Sequence, residues 1–309
     1  MPYLNPNSFE YLVKFSQERI EKGSKSFTAA ARLFPQETRS SVYMLYAWCR
    51  HCDDIIDGQY LGHEDTYREV PIGIDAQAAV EALAYKTQRA CAGYADEPVF
   101  RGLAAITEKH SIPEKYPLDL IAGFKMDTEG YRYVTINDTL KYCYHVAGVV
   151  GIIIAMIIGT KERVALERAC DLGIGFQLTN IARDIVQDHM RNRIYIPQNW
   201  LEEAGLMQTS MIEPQNRVLL AKVVRRLLDT SEIYYQSAKC GLAHLPFRSA
   251  WAVGTALKVY RTIGLEVRRR GSHAWDKKIS TNGITKFGGT VSGLTLALKS
   301  RSARKKAQE

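Results

Sequence analysis

Residues 176–188 read Phe-Gln-Leu-Thr-Asn-Ile-Ala-Arg-Asp-Ile-Val-Gln-Asp, and in this stretch two carboxylates follow a largely apolar run. Asp184 and Asp188 are four residues apart, and Asn180 precedes Asp184 by the same interval. On a helix this spacing places the three side chains on one face, one turn apart. Like charges so placed destabilise a helix by roughly 0.2–0.5 kcal/mol unless something neutralises them. A divalent cation would do so, because Mg²⁺ prefers oxygen ligands.

A second acidic cluster, Asp53-Asp54-Ile55-Ile56-Asp57, also has two carboxylates four residues apart. An arginine lies just upstream of each cluster, Arg50 before Asp53 and Arg183 before Asp184. Taken alone, either cluster would more often be a solvated helix face. Both emerge from apolar sequence, however, and buried acids need partners. Mg²⁺ is usually held by one or two carboxylates together with substrate phosphates, and arginine offers a rigid fork of donors that fits phosphate oxygens. Two such clusters facing each other therefore predict a diphosphate site.

The rest of the chain predicts an all-α fold in one domain. The 309 residues are 46% apolar, and no proline falls between Leu118 and Ile196 or after Phe247. Apolar residues recur at three- and four-residue intervals, which is the helical period, and no Ser/Pro-rich linker marks a boundary. We predict a catalytic domain over residues 1–298 and a basic, disordered tail over 299–309. The predicted helices are 7–22, 36–57, 76–92, 97–110, 114–127, 137–159, 162–190, 215–240, 246–270 and 284–299.

The most apolar stretch runs from Val146 to Ile158 and is shorter than the ~20 residues of a membrane-spanning helix. It predicts a buried core helix, in which Gly151 and its small neighbours would let another helix or a ligand approach closely. A hydrocarbon lying against it would gain about 0.8 kcal/mol for each buried CH₂. The N-terminus has no secretory signal, which predicts a cytoplasmic protein.

The net charge of +8 gathers late in the chain, at Arg268–Arg270, Lys277–Lys278 and Lys299–Lys306. Such patches attract phosphate-bearing partners or anionic membranes. The simplest interpretation of the last segment is a solubilising end, and binding to a lipid surface is the second. Nucleic acid is not an expected partner, since no helix-turn-helix, zinc-finger or RNA-binding signature accompanies the charge.

With these residues identified, the chain resembles the squalene and phytoene synthase family, whose members join two allylic diphosphates head to head. The resemblance covers nearly the whole chain. Within the family, the sequences of the motifs are most similar to those of the bacterial members that make phytoene. One departure is Gly23, where some members have histidine. The segments that carry the resemblance are Ser24–Phe27, Tyr46–Asp54, Arg132–Thr135, Tyr142–Gly151, Gln177–Asp184 and Ser272–Asp276.

The resemblance implies an isoprenoid synthase fold, with helices around a central active-site cavity. It implies a prenyltransferase that condenses two geranylgeranyl diphosphates through prephytoene diphosphate to phytoene, for carotenoid biosynthesis. Mg²⁺ is the implied cofactor, with Mn²⁺ as a substitute and without NADPH; some bacterial members are stimulated by ATP, which no motif here explains. We expect a cytoplasmic monomer in peripheral contact with membrane lipid and with downstream carotenoid enzymes as partners.

The resemblance also assigns roles to residues. The implied metal ligands are Asp53, Asp57, Asn180, Asp184 and Asp188. The implied catalytic residues are the four aspartates of that set with Tyr46, Tyr142 and Tyr260. The implied substrate-binding residues are Lys25, Ser26, Phe27, Arg50, Asp54, Val146, Gly151, Gln177, Arg183 and Arg193. Arg191 is a further candidate for diphosphate, Asp127 matches an acidic family position without a known role, and residues 58–74 are the expected flap.

Three alternatives remain open at this point. Asp53–Asp57 also satisfies D-D-x-x-D, the motif of head-to-tail prenyltransferases and terpene cyclases, although Asn180, Asp184 and Asp188 follow a different pattern, N-x-x-x-D-x-x-x-D. A farnesyl-using member that makes squalene or dehydrosqualene is the nearest rival, and cavity depth would separate the two. The third alternative is a non-catalytic helical scaffold that binds anionic lipid through its basic end.

Overall fold

A computed structural model describes residues 5, 8–58, 76–279 and 283–306 and shows helices joined by turns over these ranges. The predicted all-α class is confirmed. The α-helices are α1 Phe9–Gly23, α2 Lys25–Ala31, α3 Gln36–Asp57, α4 Ala76–Cys91, α5 Pro98–His110, α6 Lys115–Thr128, α7 Ile136–Cys143, α8 Val149–Ile157, α9 Arg163–Met190, α10 Gln198–Glu203, α11 Arg217–Gly241, α12 Phe247–Arg270 and α13 Gly283–Lys306.

The helix ends follow local chemistry. Ser8 caps α1 by accepting the Tyr11 backbone N–H at 3.1 Å, which satisfies one of the donors left without an intrahelical partner. Gly58 ends α3 in the left-handed conformation, with φ of 62°, directly after Asp57. The acidic cluster at residues 184–188 also lies in the last turns of its helix, α9. Both clusters thus sit at helix C-terminal ends.

Two helices escaped the sequence prediction, α2 and α10. Each is short, and neither has room for the repeated apolar spacing on which the prediction depends. Helix α2 is signalled only by Ser24, whose hydroxyl accepts the Phe27 N–H at 3.3 Å. The omission matters because α2 carries Phe27 into the cavity described below.

Helix α9 is the central element of the fold. It packs along α11 on one side, along α8 on another and against α12. A large apolar core lies among α1, α3, α5, α6 and α8, and a second lies between α9 and α11. The outermost helix, α13, packs along α12. The acidic end of α9 is therefore held between two well-packed regions.

Helices α7 and α8 are joined by a π-helical turn, Tyr144–Gly148, into one run from Ile136 to Ile157 of 22 residues. Of the described residues, only this helix is long and apolar enough to cross a membrane. The predicted helix over 137–159 is confirmed, and the polar residues of α7 extend the apolar stretch Val146–Ile158 at its N-terminal end. Its place is in the core, where Val149 and Ile153 are fully buried.

Small residues bring α8 and α9 into close contact. A Cβ atom added to Gly151 would lie 2.1 Å from the Ala169 carbonyl oxygen, and one added to Gly173 would lie 2.1 Å from that of Ala147. Real Cβ atoms do not approach backbone so closely, so any side chain at either glycine would force the helices apart. The prediction that Gly151 allows another helix to approach closely is confirmed. The prediction that Gly151 contacts the substrate remains a prediction.

The described helix α13 continues through Lys306, so the structure differs from the sequence prediction over the first part of the expected tail. Residues 299–306 consist of lysine, arginine, serine and alanine, and the good helix formers among them extend the preceding helix. The expected flap, residues 58–74, lies outside the described residues except for Gly58.

Candidate active site

A cavity of about 440 Å³ lies between α3, α9 and the helices around them. One end of it is polar and contains both acidic clusters, through Asp53, Asp57, Asp184 and Asp188. The other end is lined by aliphatic side chains of α8, α11 and α12. The cavity therefore has a charged pole and an apolar pole.

Helix α9 contributes to both poles. Its lining residues near the C-terminal end are Gln177, Asn180, Arg183, Asp184 and Asp188, whereas those near the N-terminal end include Ala165, Ala169, Leu172 and Gly173. At 1.5 Å of rise per residue, the wall from Ala165 to Asp188 is about 35 Å long. A molecule with an anionic head and a long apolar tail matches this division.

Arginines accompany three of the four cavity aspartates. Arg50 Nη1 is 2.6 Å from Asp53 Oδ2, within one helix. The Arg183 guanidinium donates to both oxygens of Asp184, with Nε 2.7 Å from Oδ1.

The third arginine pair joins two different elements. Arg193, which follows α9, has its Nη1 atom 2.6 Å from Asp57 Oδ1 at the end of α3. Arg191 reaches the other oxygen of Asp57 at 3.5 Å. The pair with Arg193 therefore ties the two acidic helices together, and it surrounds the charged pole with guanidinium groups that fit phosphate oxygens.

Burial and crowding change the acidity of the charged pole. Burial raises the pKa of Asp53 to about 6, although Arg50 opposes the change. Burial and the neighbouring charge of Asp184 raise the pKa of Asp188 to about 8. Crowded carboxylates in a buried cleft attract cations, and perturbed acids in a cleft are typical of functional sites.

Asn180 provides an independent indication of a missing partner. Its Oδ1 atom is buried in the cavity wall and accepts no hydrogen bond from the described residues, while its Nδ2 donates to Gln177 Oε1 at 3.3 Å. A buried oxygen left unpaired costs about 1–3 kcal/mol. An oxygen-seeking cation would satisfy it. The donor set of carboxylates and one amide oxygen fits Mg²⁺ or Mn²⁺.

The predicted metal ligands do not form one cage. Among the residues that the structure describes, no three His, Cys, Asp or Glu side chains stand close enough to hold a single ion. The aspartates instead lie on opposite walls, on α3 and on α9. This arrangement is typical of cations that are held partly by substrate phosphates.

Behind the charged pole, two tyrosines share a buried carboxylate. Tyr142 and Tyr195 stack with ring centroids 4.5 Å apart, and their hydroxyls donate to Asp127 at 3.0 and 2.8 Å. Burial raises the pKa of Asp127 to about 6. Because the carboxylate takes both phenolic hydrogens, the phenolic oxygens are left with acceptor lone pairs. Both rings line the cavity.

An aromatic wall lies beside Arg183. Tyr260 stacks on Phe176 with centroids 4.2 Å apart, and Phe27 lies between Tyr260 and Tyr46, at 5.8 and 6.1 Å. Faces of aromatic rings attract positive charge. This wall can therefore stabilise a cation next to the charged pole.

The departure at position 23 has a structural counterpart. A Cβ atom added to Gly23 would lie 2.5 Å from the Tyr46 hydroxyl oxygen. The absence of a side chain at Gly23 thus makes room for the Tyr46 hydroxyl.

Nearly all predicted site residues meet in this one cavity. The lining includes Phe27, Tyr46, Arg50, Asp53, Asp57, Tyr142, Val146, Gly151, Gln177, Asn180, Arg183, Asp184, Asp188, Arg191, Arg193 and Tyr260. Asp54 is buried on α3, outside the lining. The side chains of Lys25 and Ser26 lie outside the described part of the chain.

Sequence reasoning missed Tyr195, and it named Asp127 without identifying its hydrogen-bond partners. Tyr195 follows Arg193 by two residues, and this proximity was the available signal. Arg168, which lines the apolar pole and donates to Ser237 at 2.5 Å, was also missed, since an arginine three residues before Asp171 on one helix resembles an ordinary surface pair.

Comparison with known proteins identifies the class. The sequence profile described as squalene/phytoene synthase matches residues 20–284, and the chain belongs to this family. It is 48% identical over 285 residues to the 15-cis-phytoene synthase of Enterobacter agglomerans, covering 92% of this chain and 96% of that protein. It is 46% identical over 291 residues to the 15-cis-phytoene synthase of Pantoea ananas, covering 94% of this chain and 93% of the other.

The fold has solved counterparts. A dehydrosqualene synthase in complex with ligand superimposes with a TM-score of 0.80 at 26% identity, covering 96% of this chain and 98% of that one. A squalene synthase from Alicyclobacillus acidocaldarius gives a TM-score of 0.74 at 23% identity, over 85% and 95% of the two chains. The isoprenoid synthase fold implied by the resemblance is confirmed.

Proposed function

We propose that this chain is a phytoene synthase of carotenoid biosynthesis, a geranylgeranyltransferase that joins two geranylgeranyl diphosphates head to head. The observation that carries the proposal is the two-pole cavity, in which acids and arginines occupy one end and aliphatic side chains the other, along a wall of α9 that is about 35 Å long in total. The high identity to bacterial 15-cis-phytoene synthases supports the same product.

The charged pole would bind the diphosphates. Arg50, Arg183 and Arg193 are already positioned by Asp53, Asp184 and Asp57, so little side-chain freedom is lost when phosphate oxygens replace or join these contacts. Asp53, Asp57, Asn180, Asp184 and Asp188 would hold Mg²⁺, or Mn²⁺ in its place. The bound cations would supply Lewis-acid stabilisation of the leaving diphosphate.

The walls next to the charged pole would protect the allylic cation. Aromatic faces of Tyr260 and Phe176 and the acceptor oxygens of Tyr142 and Tyr195 offer negative potential without a nucleophile as reactive as water. The adjoining aliphatic lining excludes water from the cation. Loss of a proton would end the reaction without a reductant, so NADPH is not required.

The test is product analysis. Purified protein would be incubated with geranylgeranyl diphosphate and Mg²⁺, with and without ATP and without NADPH, and the extracted hydrocarbon identified by mass spectrometry. We expect phytoene from the wild type and loss of at least about a hundredfold in rate for Asp53→Asn and Asp184→Asn. Asp229→Asn, an exposed aspartate of α11 paired with Arg268, is the matched control and should keep full activity.

One alternative has an observation in its favour, since the solved structure with the TM-score of 0.80 is a dehydrosqualene synthase. Farnesyl diphosphate is shorter and would leave part of the apolar pole empty. The same assay with farnesyl diphosphate separates the two functions. Turnover of farnesyl but not geranylgeranyl diphosphate would overturn the proposal, and no turnover of either would favour a non-catalytic protein.

We further propose that the enzyme works as a monomer at the membrane surface, since its product is a hydrocarbon that must enter lipid, and that downstream carotenoid enzymes receive the product there. The exposed basic residues of α13, Lys299 and Arg301, support contact with anionic lipid. Size-exclusion chromatography with light scattering, in detergent, tests the oligomeric state.

A further inference from the structure

Three segments meet around the apolar pole of the cavity. The turn between α8 and α9 is joined to the turn between α11 and α12 by His244 Nδ1, which lies 2.7 Å from Glu162 Oε2. Leu296 and Ala297 of α13 pack into the same apolar cluster as Leu242 of the second turn. Leu242 and Leu245 belong to this cluster and also line the cavity. The cluster therefore forms part of the wall between the apolar pole and the outer surface.

The outer surface at this place combines exposed apolar and basic side chains. Val164, 49% exposed, and Leu298, 54% exposed, are the apolar members. The exposed basic members are Lys161, Arg163, Arg248, Lys299 and Arg301. We call these seven residues the distal surface. The sequence adds Arg304, Lys305 and Lys306 directly after it.

Two acidic side chains lie beside the five basic residues of the distal surface. Glu162 contacts His244, and Glu167 pairs with Arg163 at 2.8 Å. The positive charge of the distal surface thus exceeds the negative charge beside it. Apolar side chains amid lysine and arginine are typical of surfaces that insert shallowly into a bilayer with anionic headgroups.

Packing against α12 fixes the orientation of helix α13. Gly289 and Gly293 lie against Val259 and Thr255 of α12, and Trp251 Nε1 donates to the Thr290 carbonyl at 2.9 Å. The opposite face of the helix exposes Val291, Thr295 and Leu298, spaced by four and three residues. This face is held outwards by the packing on α12.

We propose that the distal surface is where the protein docks on an anionic lipid bilayer, with the apolar pole of the cavity facing the membrane and the charged pole facing water. The orientation rests on the proposed function, because only an apolar product makes the apolar pole a useful exit. A nucleic acid would match the charge, but it would leave Val164 and Leu298 exposed without a partner. An apolar bilayer interior accommodates both.

The test is co-sedimentation of the full chain with vesicles of phosphatidylcholine alone or with about 30% phosphatidylglycerol. Lys299→Glu/Arg301→Glu reverses two charges of the distal surface. The matched control, Lys222→Glu/Arg225→Glu, reverses two exposed charges of α11, whose N-terminal half lies towards the charged pole. We expect the wild type to prefer the anionic vesicles, the distal variant to bind at least about tenfold more weakly, and the control to stay within about twofold.

Two further measurements keep the outcomes distinct. Val164→Ser/Leu298→Ser should also weaken binding, which a purely electrostatic contact would not show. Turnover of geranylgeranyl diphosphate in detergent should persist in all three variants. Equal losses in distal and control variants, or binding of a DNA duplex but not of vesicles, would overturn the docking surface. A wild type that turns over substrate but ignores vesicles would overturn it while leaving the proposed function intact.

Discussion

Arg193 and Asp57 form an ion pair, 2.6 Å between Nη1 and Oδ1, that connects the segment after α9 to the C-terminal end of α3. The Asp57 side chain is 10% exposed, so its charge is mostly withdrawn from water. Removing one partner of such a pair leaves the other charge poorly solvated.

We expect Arg193→Ala to lower the free energy of unfolding by about 1–3 kcal/mol and to lower kcat at least tenfold. Urea denaturation and steady-state kinetics would measure the two effects. Arg191→Ala is the control, because Arg191 contacts the same carboxylate at 3.5 Å from a more exposed position. Its cost should stay below about 1 kcal/mol. Equal destabilisation by both variants would contradict the structural importance of the Arg193 pair.

Asn180 tests the proposed cation site. With its buried Oδ1 acting as a ligand, Asn180→Ala should raise the Mg²⁺ concentration that gives half-maximal activity by about tenfold or more. Asn199, on α10, also has an Oδ1 atom that is buried and without a partner among the described residues, but it lies outside the cavity. Asn199→Ala should leave the Mg²⁺ dependence unchanged. If the two variants respond to Mg²⁺ as the wild type does, Asn180 is not a ligand.

The metal-free protein should lose stability as the pH rises from about 4 to about 8. Asp53, Asp127 and Asp188 have pKa values of about 6, 6 and 8 in the folded protein, whereas unfolded aspartate titrates near 3.9. Between these values the folded state holds more protons than the unfolded state, so each increase of one pH unit favours unfolding. The stabilisation from the protonated carboxyl groups is fully present below the unfolded pKa, and it is lost above the folded pKa.

Urea denaturation in EDTA at several pH values would measure this dependence. Asp188→Asn cannot ionise, so its stability should fall less steeply than that of the wild type, with the largest difference in slope between about pH 5 and pH 7. Parallel curves for the two proteins would show that Asp188 titrates normally in the folded state.

The contact between Gly23 and Tyr46 predicts a compensating pair. Gly23→Ala places a Cβ atom 2.5 Å from the Tyr46 hydroxyl oxygen, and we expect a cost of about 1–3 kcal/mol in unfolding free energy. In Tyr46→Phe the nearest ring atom would be 3.4 Å away, an ordinary contact. The cost of Gly23→Ala should therefore shrink in the Tyr46→Phe background. A double-mutant cycle by thermal denaturation measures the coupling, and additive effects would refute the contact.

The sequence was sufficient for the fold class because the helical signals are local. Val42, Leu45, Tyr46 and Cys49 repeat at helical spacing, and the structure has α3 over Gln36–Asp57 as predicted. Gly58 supplies a clear helix end. Short helices such as α10 lack this repetition, which is why they were missed.

The acidic clusters and their arginines could likewise be identified in the sequence from their short-range spacing, and the structure brings them into one cavity. Contacts between distant segments could not be predicted in this way. Asp127, Tyr142 and Tyr195 meet through the fold alone, and nothing in their separate surroundings predicts a shared hydrogen-bond group. Gly151 shows the same limit, since its spacing allowed a helix or a ligand, and only the structure identifies Ala169 as its neighbour.

Helix α9 carries Asp184 and Asp188 near one end and Ala165 and Ala169 near the other, within a single uninterrupted rod. If the diphosphate of a substrate is bound at the acidic end, the length of its apolar tail determines how many turns of α9 the tail reaches. The chain length accepted by the enzyme would then depend on which side chain first closes the cavity along α9. Evolution of a new chain length would need changes at the far end only, while the reactive end of the helix stayed the same.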